Sequence, residues 1–245
     1  ALAMLDDGLF ERFPCDAIFG LHNEPGMDIG DFRIGGGVIA AGGAFFDITV
    51  AGKGAHPALP HTGVDPLLVA CHLVTAMQSI ASRIVPAVDS AVLSVTRISG
   101  AEAYNVIAPE AVIGGTARFL RRDVADQIEH AMRRMAAAVC EGFGAKATMD
   151  FRLLFAPTVN DETEAAFARQ TALSVAGAPH VSAPAGVDMG SEDFSFMLEK
   201  VPGAYVLCGN GSSMPVHHPE YAFDDACIPH GAAFFSEIVE RKLVV

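Results

Sequence analysis

Positive charge is scarce in this chain of 245 residues: 16 lysines and arginines stand against 29 aspartates and glutamates, a formal charge of −13. That deficit argues against nucleic acid or an anionic membrane surface as a partner, because both need a basic face. Long apolar runs are missing as well; the sequence interrupts each of them before the roughly 18 residues that suggest a span. Nothing at the N-terminus resembles a signal peptide. Cys15, Cys71, Cys140, Cys208 and Cys227 are odd in number, scattered and free of any CxxC pair. They fit reduced thiols in a cytoplasmic protein better than a disulfide framework. No GxxxxGK[ST] loop, no GxGxxG after a strand and no GxSxG elbow occurs, which removes nucleotide-binding and serine-hydrolase readings.

Hydrophobic residues make up 51% and charged residues 18%. That balance belongs to a globular chain with enough length for one large or two small domains. Three zones follow. In residues 1–34 an apolar strand, Ala17 to Leu21, runs directly into His22, and Gly35-Gly-Gly37 reads as a hinge. Residues 35–150 have a regular rhythm. Phe46, Ile48 and Val50 alternate onto one face, and Asp65-Pro66 caps a helix carrying Leu67, Cys71, Val74 and Met77. Strands follow at Ala91–Ile98 and Ala111–Leu120. Asp123 is expected to cap a second helix with Val124, Ile128, Met132, Met135 and Val139 as its stripe. A last strand spans Lys146–Phe155. The order β-α-β-β-α-β predicts a ferredoxin-like layer with both helices on one side of a sheet. Residues 151–245 mix helices, at Asp161–Ala176, Glu192–Lys200 and Pro229–Arg241, with a buried strand at Ala204–Cys208. Zones one and three share this α/β character, so they are expected to form one domain interrupted by the middle zone.

Several polar residues lie where chemistry is plausible. His22 follows a strand, and ligand sites in open α/β sheets gather beyond strand ends; neutral imidazole binds zinc and similar ions. The alternative is a loop histidine beside a turn. His217 and His218, in Val216-His-His-Pro-Glu-Tyr221, point in different directions, so one binding an ion leaves the other to pack or touch substrate. His56 and His61 sit in a glycine- and proline-rich loop that can reach a cleft or simply connect. Asn105 and Arg118 suit a carboxylate, Arg118 by a two-pronged contact; the plainer readings are a turn residue and a solvated strand residue. Glu192 and Asp193 could form a carboxylate pair, but Ser191 before them reads more strongly as a helix N-cap.

Taken in order, Gly20-Leu-His-Asn-Glu-Pro25, Ile48 to His56, Pro60-His61 through Pro66, Asn105-Val-Ile107, Gly115-Thr-Ala-Arg118, Glu192-Asp-Phe194 and Val216-His-His-Pro-Glu-Tyr221 resemble one family. It is the metal-dependent aminoacylase and carboxypeptidase superfamily, in the branch of hippurate hydrolases and auxin–amino acid conjugate hydrolases. The resemblance implies an α/β catalytic domain with two divalent ions per site, zinc, manganese, cobalt and nickel being indistinguishable. It also implies an inserted lid domain that makes a homodimer, and a small N-acyl amino acid as substrate. Under it, His22 and His217 are metal ligands, and His56 donates to the oxyanion. Asn105 and Arg118 hold the substrate carboxylate, and His61 assists. The family's Cys-and-His ligand pair and Glu-Glu motif have no counterpart in this sequence. The resemblance therefore implies that a further N-terminal part carries them and that these 245 residues alone are inactive. The competing reading is a non-catalytic dimerisation or small-molecule-binding module.

Overall fold

The computed structural model describes residues 1–243. In chain order the elements are α1 (Leu2–Asp6), α2 (Leu9–Arg12), β1 (Ile18–Glu24), β2 (Phe32–Arg33), β3 (Gly37–Ala40), β4 (Gly42–Ala51), α3 (Pro66–Ser79), β5 (Ala91–Ser99) and β6 (Glu110–Phe119). Then come α4 (Arg122–Gly142), β7 (Lys146–Phe155), β8 (Thr158–Asn160), α5 (Glu162–Ala176), β9 (Val181–Ser182), α6 (Ser195–Leu198), β10 (Gly203–Gly209) and α7 (Ile228–Lys242). They form two compact units. Unit 1 comprises Ala1–Ala40, Thr158–Asp188 and the chain from Glu192 onward; unit 2 comprises Ala41–Pro157 and Met189–Ser191. The sequence-based divisions at 34/35 and 150/151 thus move to 40/41 and 157/158. The physical reason is pairing: β3 bonds to β8 within unit 1, and β7 runs on to Phe155. Gly35-Gly-Gly37 is consequently no hinge between units. What the segment needs from glycine is local: Gly37 sits at φ 71°, a left-handed conformation that L side chains rarely adopt.

Unit 2 is a four-stranded antiparallel sheet in the order β5-β6-β4-β7, the ferredoxin-like arrangement. Phe46, Ile48 and Val50 on β4 and Ile113, Ala117 and Phe119 on β6 alternate inward and are at most 1% exposed. Asp65 caps α3 by accepting from the Leu67 and Leu68 amides at 2.9 and 3.3 Å, with Pro66 at the first helical position. The buried face of α3 differs from the expected stripe. Val69, Ala70, Leu73 and Met77 are inside, while Leu67 is 42% exposed and Cys71 lies outside. The helix carries apolar residues on more than one side, so spacing alone could not choose the face. Continued through a wider turn to Ile84, this segment of 19 residues is also long and apolar enough to cross a membrane by length and composition alone, with mean hydropathy 1.4 over an 18-residue window. A core helix passes the same test, and the apolar run itself is broken by His72, Thr75, Gln78 and Arg83, while Val69, Ala70, Leu73 and Met77 pack into the core of unit 2. α4 starts one residue before the expected cap. Asp123 lies in its first turn, gripped by the Arg121 guanidinium at 3.0 and 2.6 Å.

Unit 1 has a four-stranded sheet, β1-β10-β2-β9, and the two-stranded β3–β8. β1 and β10 run parallel, so two segments nearly two hundred residues apart are neighbours. Ala204, Val206 and Cys208 of β10 face Ala168 and Ala172 of α5 and Phe234 and Ile238 of α7 in one cluster. Asp161 caps α5 through the Thr163 and Glu164 amides. The expected helix over Glu192–Lys200 shrinks to Ser195–Leu198, without a side-chain cap. Among the described residues β1 is paired on one side only, and all seven of its residues are half-buried. All five cysteines are free, and burial pushes the Cys208 thiol up to about 11, with Cys227 and Asp31 adding to the rise.

Candidate metal centre

His22 lies inside β1 rather than just after it, since the strand continues to Glu24. Its ring is half-buried, and Nδ1 sits 2.6 Å from the Asn23 carbonyl oxygen. A carbonyl can only accept, so Nδ1 carries the proton and Nε2 keeps its lone pair. This tautomer suits a metal ligand, whose second ring nitrogen commonly donates to a carbonyl. One side of His22 meets the Tyr205 ring, with centroids 6.1 Å apart. Tyr205 is fixed in turn. Its hydroxyl donates to Glu192 at 2.8 Å, and its backbone amide and carbonyl pair with the Asn160 carboxamide at 2.7 and 3.0 Å. Burial, together with the Glu192 carboxylate, raises the phenol well above its ordinary value, so it stays a neutral donor. Glu192 therefore serves Tyr205 and the Phe194 amide rather than a helix start. The N-cap role expected of Ser191 fails because the helix begins only at Ser195, and the Ser191 hydroxyl accepts from Arg118 instead.

The His217 segment is an irregular loop pinned at its base. The buried Asn210 carboxamide donates to the Ala222 carbonyl at 2.9 Å and accepts from the Asp224 amide at 3.0 Å; Ser213 adds a two-way pairing with Ala222. His217 is exposed, and among the described residues it is the one non-glycine with positive φ, 69°. His218 uses Nδ1 to accept from the Glu220 amide at 3.1 Å. Asn23 Nδ2 donates to the Tyr221 hydroxyl at 2.6 Å, which joins this loop to the end of β1 beside His22. In kind, the donors fit a divalent ion: one imidazole with a free Nε2 and a second on a tied loop. They are incomplete in number. Among the described residues no group of three or more His, Cys, Asp or Glu could hold a metal ion.

The other expected site residues belong to unit 2. His56 is exposed, and its Nδ1 accepts from the Ala58 amide at 3.2 Å. In the neutral ring Nε2 then bears the proton, so His56 is a donor where His22 is an acceptor. Ala55 pairs with Ile107 at 3.2 and 3.0 Å, which brings the His56 loop beside the exposed loop of Asn105. His61 is exposed in a short turn, Pro60–Thr62. Arg118 on β6 lies between Gly43 and Val92 and donates to Ser191 Oγ, so it is half-buried rather than a solvated strand residue. A β-carbon on Gly43 would come 2.8 Å from its Nη1. Asn23, Tyr221, Tyr205 and Asn160 escaped the sequence reading. Asn23 and Tyr221 lie inside the two histidine motifs, yet nothing local says that they touch.

In comparison with known proteins, the model of "Peptidase family M20/M25/M40" matches residues 1–241. N-acetyl-L-cysteine deacetylase of Bacillus subtilis is 33% identical over 243 residues, covering 99% of this chain and 57% of that protein. Hippurate hydrolase of Campylobacter jejuni is 28% identical over 243 residues, covering 99% and 63%. Among solved structures, the YXEP protein of Bacillus subtilis, described as a dinuclear metal-binding peptidase of the M20 family, superposes with a TM-score of 0.80 at 26% identity, covering 98% of this chain and 60% of that one. The chain thus spans about three fifths of the length of these relatives.

Proposed function

Because the chain belongs to peptidase family M20/M25/M40, we propose that it forms part of a metal-dependent amidohydrolase that cleaves the amide bond of N-acyl amino acids. The observation that carries the reading is His22, whose Nδ1–H bond to Asn23 leaves Nε2 free to bind an ion. Relatives named for N-acetyl-L-cysteine and hippurate support this substrate class. Divalent ions, when bound, polarise the amide carbonyl and lower the pKa of water. His22 and His217 would hold such an ion. His56, with its proton on Nε2, would donate to the oxyanion as the carbonyl becomes tetrahedral, and losing one such donor costs about 10²–10³ in turnover. Arg118 and Asn105 would take the substrate carboxylate. A cavity of about 560 Å³ in unit 1 combines apolar walls from Ile39, Val187 and Leu207 with the charged Glu24, Arg33 and Asp188, and its apolar part suits an acyl group.

The absence of a three-ligand cluster among the described residues leads us to place the remaining ligands and the general base in polypeptide outside these 245 residues. The outer strands β5 and β7 of unit 2 are each paired on one side only among the described residues, which supports a homodimer through this unit. The test uses the 245-residue chain. Calorimetric titration with Zn²⁺ should show binding that His22→Ala or His217→Ala abolishes, and hippurate should release no glycine. Binding untouched by both substitutions would defeat the ligand assignment. Robust turnover would defeat the placement of the base.

A further inference from the structure

Resting on the metal-site reading above, we infer that Asn23 and Tyr221 are positioning residues that hold the His217 loop at the end of β1, beside His22. Asn23 touches both sides of the pair. Its backbone carbonyl accepts from the His22 ring at 2.6 Å, and its side-chain Nδ2 donates to the Tyr221 hydroxyl at 2.6 Å. Tyr221 returns that hold to the loop through its own backbone, because its amide donates to the His218 carbonyl at 2.9 Å. The His218 amide in turn donates to the Pro215 carbonyl at 3.1 Å, and the Glu220 amide to His218 Nδ1 at 3.1 Å. His217 therefore lies within a run of turns anchored at one end by the Tyr221 hydroxyl. Its positive φ fixes how the imidazole leaves the chain. The side chains of Asn210 and Ser213 close the base of the same loop onto its own backbone, while the Asn210 amide donates to the Glu24 carbonyl of β1 at 3.0 Å, so the base is tied by backbone and the far end is not. Among the described residues, the Asn23–Tyr221 bond is the side-chain hydrogen bond from this loop to β1.

The geometry separates two jobs within one residue. Removing the Asn23 side chain leaves its carbonyl, so the His22 tautomer is kept while the loop is released. Tyr221→Phe removes the same bond from the other end and keeps the ring.

The experiment titrates the 245-residue chain with Co²⁺, followed by visible absorption and calorimetry. Asn23→Ala and Tyr221→Phe each weaken Co²⁺ binding roughly tenfold, the scale of losing a partner outside the ligand shell. The double variant is no weaker than either single one to within about twofold, as expected of two groups sharing one bond. The ¹⁵N shifts of the His22 ring keep the Nδ1–H pattern in both. Unchanged affinity in either single variant, or fully additive losses, overturns the inference. If the unsubstituted chain takes up no Co²⁺, the metal reading fails on its own, and amide hydrogen exchange decides the latch. Tyr221 and Glu220 then exchange about tenfold faster in both variants, and unchanged rates overturn it.

Discussion

Unit 2 buries twenty-three apolar residues in one cluster and, among the described residues, no polar side chain. Unit 1 buries eleven apolar residues in its cluster together with all six buried polar side chains: Thr158, Asn160, Glu164, Thr171, Ser195 and Asn210. Apolar packing is non-directional and scales with area, whereas a buried hydrogen bond fixes an orientation and is costly when half-made. The difference therefore concerns what each unit is built to hold. Unit 2 supplies a stiff sheet from which loops extend. Unit 1 uses directional bonds to set particular backbone atoms in place, as Asn160 does for Tyr205 and Asn210 does for the His217 loop.

The contrast can be broken by substitution. The largest effect is expected from Phe46→Ala, 1% exposed at the centre of unit 2, which should cost about 3–5 kcal/mol in urea unfolding followed by circular dichroism. A loss well under that range would mean that unit 2 is not held by one continuous cluster. Asn160→Ala should cost about 1–3 kcal/mol and should specifically strip hydrogen-exchange protection from the Tyr205 amide. Retained protection there would show that the polar pins of unit 1 are dispensable. The smallest effect belongs to a surface network of unit 2, where Asp47 receives Arg152 at 2.6 Å and Arg97 at 2.7 Å. The bond from Arg152 is the largest influence on the Asp47 carboxyl; burial opposes it, and the charges of Arg152 and Arg97 add to the bond, so the carboxyl lies below its ordinary value. A depressed carboxylate adds stability that is present above the ordinary aspartate range and is lost as pH falls through it towards the folded-state value. Partly exposed pairs are screened, so Asp47→Asn should flatten this acid-side loss by less than about 1 kcal/mol. An acid limb identical in the variant would remove Asp47 as its source.

Much of unit 2 was legible because its signals are local. Alternation at Phe46, Ile48 and Val50, the Asp65-Pro66 start and the βαββαβ order each depend on residues close in sequence. The buried face of α3 was not legible, because an apolar helix offers more than one stripe. Unit 1 was harder to read. Glu192 followed Ser191 like a capped helix, but a tyrosine thirteen residues on claims its carboxylate. His22 and His217 stood out through their motifs. Their hydrogen-bonding state did not, since a tautomer depends on which carbonyl or amide the fold brings to the ring.

His217 gives the comparison a last consequence. A side chain in the left-handed region costs about 1 kcal/mol or more, and glycine would sit there without that strain. Under the ligand role proposed for His217, folding stability and metal binding make opposite demands on a single position. Selection for a sturdier protein would drift towards glycine at 217, and selection for an imidazole at this point would resist it. On that proposal, the histidine marks a place where this chain keeps a less comfortable backbone in return for a nitrogen able to bind an ion.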